Sequence, residues 1–294
     1  MDGYNVSTVF VSDLLPRRYP QVYADVAAAL ELAGCSLRLV PRTRDVWVRD
    51  FMPVPLPRGG LVQFRYAPSY LRTPRERATI PDTHMLCTAL GLQPQQCELL
   101  LDGGNVVFVG RAAVVTDRVY SENPGLKRDE LRQKLQVVLG VEQLLVVPAH
   151  PDDFTGHADG LVQSVDEHTV LVSAYRREPP AFVHAFRQTL ALAGLSCVEL
   201  PYNPYGNRTY TDAAGDYVNS LVLPEVVLVP QFGQREDELA LRVYEQAFHG
   251  RRVLGIRIEA VAQEGGALHC ITWTACSSSG TPRLVRNNHL IPAI

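Results

Sequence analysis

The stretch at 131–147, LRQKLQVVLGVEQLLVV, decides how the rest of the chain reads. Leu131, Leu135 and Leu139 fall at helical spacing on one face, and Gly140 stops the pattern. The run EQLLVV that follows is short, apolar and strand-like. A glycine just past a helix end commonly takes the left-handed conformation, so one such junction means little. Here the junction occurs five times. The helical segments 19–34, 82–91, 127–140, 180–194 and 235–250 each end at a glycine, and SLRLV, CELLL, EQLLVV, SCVEL and VLGIRI follow them. Gly34, Gly91, Gly140, Gly194 and Gly250 stand 57, 49, 54 and 56 residues apart.

A period this regular predicts an internal repeat. In four of the five units a loop leads into two further strand-like runs, as in LVQSVDEHTVLVSAY at 161–175. The last unit offers CITWTAC and then only the shorter PRLVRNN, while the chain begins with an unpartnered STVFVSDLL. The N-terminal strand is therefore expected to complete the fifth unit and close a ring, leaving no sheet edge open. Residues 1–294 read as one α/β domain, and the long connector 67–81, APSYLRTPRERATIP, as a mobile rim loop.

Bulk properties narrow the function classes. Charged residues make up 20% and apolar ones 46%, the balance of a soluble globular protein. A net charge of −3 without a basic run gives no reason to expect nucleic-acid binding. No membrane span, signal peptide or CxxC pair is legible, and the six scattered cysteines suit a reducing, cytoplasmic setting. A homodimer is compatible with the sequence, and nothing in it requires one.

The repeat puts the loops in phase. Asp50 lies 16 residues after its unit's glycine, Gly103 12, His157 17, Asn219 25 and Cys270 20. In a ring, all five loops face one axis, so residues far apart in sequence share a pocket. Cys270, in EGGALHC, follows Gly265 and Gly266, which allow close backbone approach. A thiol needs partners to react at neutral pH, because only the thiolate is a nucleophile. His157, in TGHADG, is the strongest acid/base candidate of the eight histidines, with Asp159 two residues on. If this segment is extended, the two side chains share a face. By the same alternation, His269 is expected on the opposite side of its strand from Cys270.

Asp50, in VWVRDFMP, offers a carboxylate beside Trp47 and Arg49. Asp102-Gly103-Gly104-Asn105 reads first as a turn. Asn219 is placed either to donate into the pocket or to cap a turn. His150, Asp152, His157 and Asp159 also invite a metal reading, but they match no ligand motif. Two carboxylates, a thiol and an imidazole suit a planar cationic carbon, which paired N–H···O bonds would hold over the sulfur. No metal or organic cofactor is required for that chemistry.

In this order, WVRDFMP, DGGN, GHADG, YVN and EGGALHCITW resemble the agmatine deiminase and bacterial-type peptidylarginine deiminase family. The resemblance runs from about residue 40 to 275. It implies a five-bladed αβ propeller with pseudo-fivefold symmetry, the pentein fold. It also implies Cys270 as nucleophile, His157 as general acid/base, Asp159 and Asp50 as guanidinium-binding carboxylates, and Asn219 in support. Trp47, Gly103, Asn105 and Gly266 are expected to line the substrate site. The implied activity is a cofactor-free hydrolysis of a small guanidino compound, most simply agmatine, to a ureido product and ammonia.

The chain departs from that family's usual pattern. It is shorter than typical agmatine deiminases and lacks their Trp-rich opening. It has RDFMP where they usually read RDxGP, EGG for GGG, and ITW for ITQ. The pocket mouth is where these changes bear. A carboxylate-bearing substrate would need a clamp, for which Arg65 and Arg72 are the candidates. Amidino transfer, peptidylarginine deimination, thiol acyl hydrolysis and a binding module with relic residues are the competing readings.

Overall fold

The five helix-ending glycines share one backbone conformation. In the computed structural model, which describes residues 7–204 and 212–274, φ is +75° at Gly34, +68° at Gly91, +66° at Gly140, +75° at Gly194 and +81° at Gly250. At none of them does any atom lie within 4 Å of where a Cβ would stand. The sign of φ, rather than lack of space, is what calls for glycine. Helices Pro20–Leu32, Thr83–Leu90, Arg128–Leu139, Pro180–Leu192 and Asp237–Ala247 precede these glycines. Strands Ser36–Val40, Gln95–Leu100, Gln143–Val147, Ser196–Leu200 and Arg252–Arg257 follow them.

The described residues form five three-stranded sheets of one pattern. A middle strand runs parallel to the strand that follows the helix, and antiparallel to a short strand on its other side. A parallel pair cannot be joined by a hairpin, and the helix supplies the crossover. The middle strands are Thr8–Ser12, Leu61–Arg65, Ala112–Thr116, Thr169–Ser173 and Val226–Gln231. They supply the core: Val9, Val11, Val62, Val114, Val170, Val172, Leu228 and Val229 are all fully buried. The strand that follows the helix can be far more exposed: in Ser36–Val40 only Val40 is buried, with Ser36, Arg38 and Leu39 exposed.

Closure of the first unit matches the expectation. Trp273–Thr274 pairs antiparallel with Thr8–Ser12, in the register Phe10↔Trp273 and Val9↔Thr274. Trp273 is buried, and its indole N–H donates to the carbonyl of Pro53 at 2.7 Å, which ties the closing strand to the second unit. Burying a tryptophan removes roughly 200 Å² from water, about 5 kcal/mol of hydrophobic stabilisation at the usual coefficient. The segment PRLVRNN and Cys276 lie outside the described residues. The five described cysteines are free thiols. No helix among the described residues is long and apolar enough to cross a membrane.

The connector 67–81 differs from expectation. It carries a helical turn, Pro74–Arg77, closed by a capping box between Thr73 and Glu76. It is also tied down near its start. The hydroxyl of Ser69 donates to Glu122 at 2.7 Å, and that of Tyr70 donates to Asp102 at 3.0 Å. Polar side chains at two successive positions find buried or part-buried partners, which periodicity alone cannot reveal.

Candidate active site

The loops of all five units meet around Asp159. The short helix Val48–Phe51 carries Asp50 inward, and its backbone rests on the Cys270 loop through Arg49 N–H to the Cys270 carbonyl at 3.1 Å. A 3-10 turn over Gly103–Asn105 follows Asp102, and another over Ala158–Gly160 follows His157. Only His157 is extended, and Asp159 is aimed by the turn after it. The shared-face argument for an extended segment therefore does not apply, although both side chains do reach the centre. Asn105 Oδ1 accepts from the backbone N–H of Thr116 at 2.9 Å and of Ala158 at 3.2 Å, so it braces the His157 turn.

Gly104 shows how tightly the groups converge. A Cβ built there would stand 2.5 Å from Asp50 Oδ1, 2.8 Å from His157 Nδ1 and 3.2 Å from Asp159 Oδ2. Its bare Cα lets two carboxylates and an imidazole pack closely against the turn, where a methyl group would not fit. Its N–H donates to Asp50 Oδ1 at 3.2 Å. Gly103 is required for a different reason, because a side chain there would collide with the carbonyl of Arg49. At Gly266 a Cβ would stand 2.5 Å from the Trp47 ring and 3.2 Å from Cys270 Sγ. Trp47 therefore flanks the thiol, and glycine admits both.

Cys270 Sγ donates to Asp159 Oδ2 at 3.8 Å. Asn219 Oδ1 accepts the backbone N–H groups of His269 at 3.0 Å and Cys270 at 3.3 Å, and Asn219 Nδ2 donates to the Asp159 carbonyl at 3.3 Å. Asn219 thus holds the Cys270 loop to the Asp159 turn and does not cap a turn of its own. His157 Nε2 donates to Asp102 Oδ2 at 3.1 Å, and its Nδ1 lies 3.5 Å from Asp50 Oδ1.

Two members of this cluster were not legible as such. Asp102 belongs to a turn, as expected, yet it also grips His157. His269 joins the cluster, which the expectation left out: its Nδ1 donates to Asp159 Oδ2 at 2.6 Å, although it lines a cavity with Arg49 and Trp273 that Cys270 does not line. Residues 268–271 form turns rather than a strand, with Ile271 N–H bonding the Ala267 carbonyl at 3.3 Å. Strand alternation therefore does not govern them. The signal available in sequence was the glycine pair just upstream, which marks a turn.

Charge explains the protonation of the site. Burial alone would lower the basicity of His157, but Asp50, Asp102 and Asp159 outweigh it and hold the imidazole up to about 10. Burial, against the pull of His157, also raises Asp50. Three carboxylates share one imidazole, so the group retains a proton that its members would release in water. We place that proton on His157, which has a carboxylate at each ring nitrogen. Asp159 is held below its ordinary range. Burial opposes this, but the bond from His269 and the charges of His157 and Arg49 prevail. Burial, then Asp159 and Asp50, pushes the Cys270 thiol well above its ordinary range.

Asp159 and Cys270 open into a cavity of about 540 Å³ that extends past Asp153, Asp216, Asp152 and Glu178. No lysine or arginine is among its described lining residues. Arg65 and Arg72, the clamp candidates, are exposed and do not line it. The four candidate metal ligands are divided. His157 and Asp159 belong to the centre, whereas His150 and Asp152 form a separate group with Glu178. His150 Nδ1 accepts the Asp152 N–H at 3.2 Å, so the neutral ring carries its proton on Nε2, facing Glu178 at 3.4 Å. That tautomer leaves no lone pair for a metal, so this trio is arranged for hydrogen bonding.

Five αβ units closed around a buried thiol, an imidazole and paired carboxylates define a propeller of the pentein class. The chain belongs to the family described as Porphyromonas-type peptidyl-arginine deiminase, which matches residues 14–275. A putative agmatine deiminase of Streptococcus mutans is 23% identical over 87% of this chain and 80% of its own length. Among solved structures, an agmatine deiminase of C. jejuni superposes with a TM-score of 0.75 at 16% identity, covering 92% of this chain and 93% of that one. The amidinotransferase SxtG of Microseira wollei shares the fold at a TM-score of 0.60 and 14% identity, over 95% and 96% of the two chains.

Proposed function

We propose that the protein is a cysteine-dependent guanidine iminohydrolase, with Cys270 as nucleophile and His157 as acid and base. The observation that carries this reading is the convergence of Asp50, His157 and Asp159 on Gly104, beside the cavity that Asp159 and Cys270 line. A guanidinium offers those acceptors its N–H groups and sets its carbon within reach of the sulfur. Its charge also offsets Asp50 and Asp159, which otherwise keep the Cys270 proton in place. The thiol then releases its proton, and the thiolate attacks the guanidino carbon.

His157 gives a proton to the departing nitrogen, and ammonia leaves as the C–N bond breaks. A thiouronium on Cys270 remains. The neutral imidazole takes a proton from water as its oxygen adds to the same carbon. The C–S bond then breaks, and the proton of the added hydroxyl passes to the sulfur, freeing the ureido product and restoring the thiol. Departing ammonia takes up the proton that the thiol lost.

The acidic cavity wall favours a tail that carries an amine, as agmatine does, over one that carries a carboxylate. Arginine and a peptide chain find no described basic residue there. The relative that is an amidinotransferase keeps a second outcome in view, in which an amine rather than water resolves the thiouronium. Agmatine, arginine, methylated arginines and peptidyl-arginine should be incubated in turn, with and without added glycine, while ammonia, ureido product and guanidinylated acceptor are measured. Ureido product from agmatine that is lost in Cys270→Ala is the expected result. Turnover that persists in that variant overturns the covalent mechanism.

A further inference from the structure

We infer that Tyr70 is a positioning residue of this site, the outer member of a chain Tyr70–Asp102–His157 that fixes the orientation of the His157 ring and the strength of its bond to Asp102. The inference rests on the proposed function only where turnover is concerned. The Tyr70 hydroxyl donates to Asp102 Oδ2 at 3.0 Å, and the same oxygen accepts from His157 Nε2 at 3.1 Å. One carboxylate oxygen thus divides its charge between a phenol and an imidazole. The Tyr70 ring also stands edge-on to His157, with centroids 6.0 Å apart.

Tyr70 is built in from both sides. Phe154, three residues before His157, meets its ring edge-on at 5.5 Å, and the Arg118 guanidinium lies over it at 5.1 Å. Arg118 in turn donates to the Phe154 carbonyl at 3.0 Å, to Ser69 Oγ at 3.1 Å and to Glu122 at 3.1 Å. The connector and the His157 loop are thereby locked to each other through one arginine. Burial, then the charge of Asp102, pushes the Tyr70 hydroxyl well above its ordinary range, so it stays a donor wherever the site is active.

A carboxylate oxygen with two donors holds each less tightly than an oxygen with one. If the phenol is removed, Asp102 bonds His157 alone, and the imidazolium parts less readily with the proton that the leaving nitrogen needs. Tyr70→Phe keeps the ring between Phe154 and Arg118 and deletes only the donor. Ser69→Ala loosens the connector without touching Asp102, and so serves as the comparison.

The His157 Nε2 proton resonance is expected to move downfield in Tyr70→Phe and to stay in place in Ser69→Ala. In the same variant kcat should fall about tenfold with KM within about twofold, as the loss of one bond to a charged group implies. An unmoved resonance, or equal effects from the two variants, overturns the proposal and leaves Tyr70 a packing residue. The resonance decides the matter even if no guanidine is turned over, a result that would overturn the proposed activity instead.

Discussion

Asp159 Oδ2 is shared between Cys270 and His269: it lies 3.8 Å from the sulfur and accepts the His269 Nδ1 proton at 2.6 Å. The carboxylate is thus held ionised from one side while it suppresses ionisation of the thiol on the other. These two effects separate in Asp159→Asn. Removing the negative charge lowers the Cys270 pKa, so alkylation by iodoacetamide at pH 8 should become faster. Turnover should fall by about 100-fold or more, because the guanidinium loses one of its two carboxylates and its alignment. Slower alkylation together with lost turnover would mean that Asp159 acts only by holding the loop.

What the sequence disclosed, and what it hid, follows from the range of the forces involved. The helix–glycine–strand junctions were legible because positive φ at Gly91 or Gly140 is a local demand that only a small residue meets cheaply. The phase of the loops directs Asp50, His157, Asn219 and Cys270 to one axis, which the bonds among their loops match. The bond from His269 to Asp159 was not legible, because residues 268–271 form turns that strand alternation does not describe. Tyr70 was hidden because its partner, Asp102, is 32 residues away in sequence. Neither patterning nor propensity encodes a hydrogen bond of that separation.

The cavity wall should govern preference for the tail. Asp152 and Glu178 line the cavity that Asp159 and Cys270 also line, and group with His150. Asp152→Asn combined with Glu178→Gln should raise KM for agmatine by about tenfold, the loss of roughly 1.4 kcal/mol of charge-assisted binding. kcat should change little, and the KM effect should shrink as salt is added. An unchanged KM would place the substrate's tail elsewhere.

Stability should depend on pH through Asp216. Burial, with Asp153 and Asp159 nearby, raises its carboxyl to about 8 from an ordinary 3.8. The folded chain therefore holds a proton here that the unfolded chain releases above about pH 4. This group's contribution is complete below that pH and is lost as pH rises through about 8. His157, held up to about 10, adds a loss of the same sign between its ordinary 6.5 and that value. Denaturant midpoints should thus decline from pH 6 to pH 9. Asp216→Asn should flatten the part below pH 8, leaving the variant about 1–3 kcal/mol more stable than the parent at pH 8. A parallel decline in both proteins would show that Asp216 does not titrate in this range.

The fit of Trp47 against the Cys270 loop can be tested as a pair. In Gly266→Ala the new methyl would stand 2.5 Å from the Trp47 ring and 3.0 Å from Cys270 Cβ, closer than side-chain atoms approach. Either the indole or the thiol must move. The cost should be about 1–3 kcal/mol of stability, as for overpacking elsewhere, and most of the turnover. Trp47→Phe removes the part of the indole that the methyl would strike. If steric conflict is the cause, the double variant should regain stability relative to Gly266→Ala, with a coupling energy of about 0.5–3 kcal/mol in a double-mutant cycle. Gly265 offers the contrast, since it has φ +102° and is constrained by conformation. Gly265→Ala should lose stability whether residue 47 is Trp or Phe. Additive losses for Gly266→Ala and Trp47→Phe would show that the indole is not what excludes a side chain at position 266.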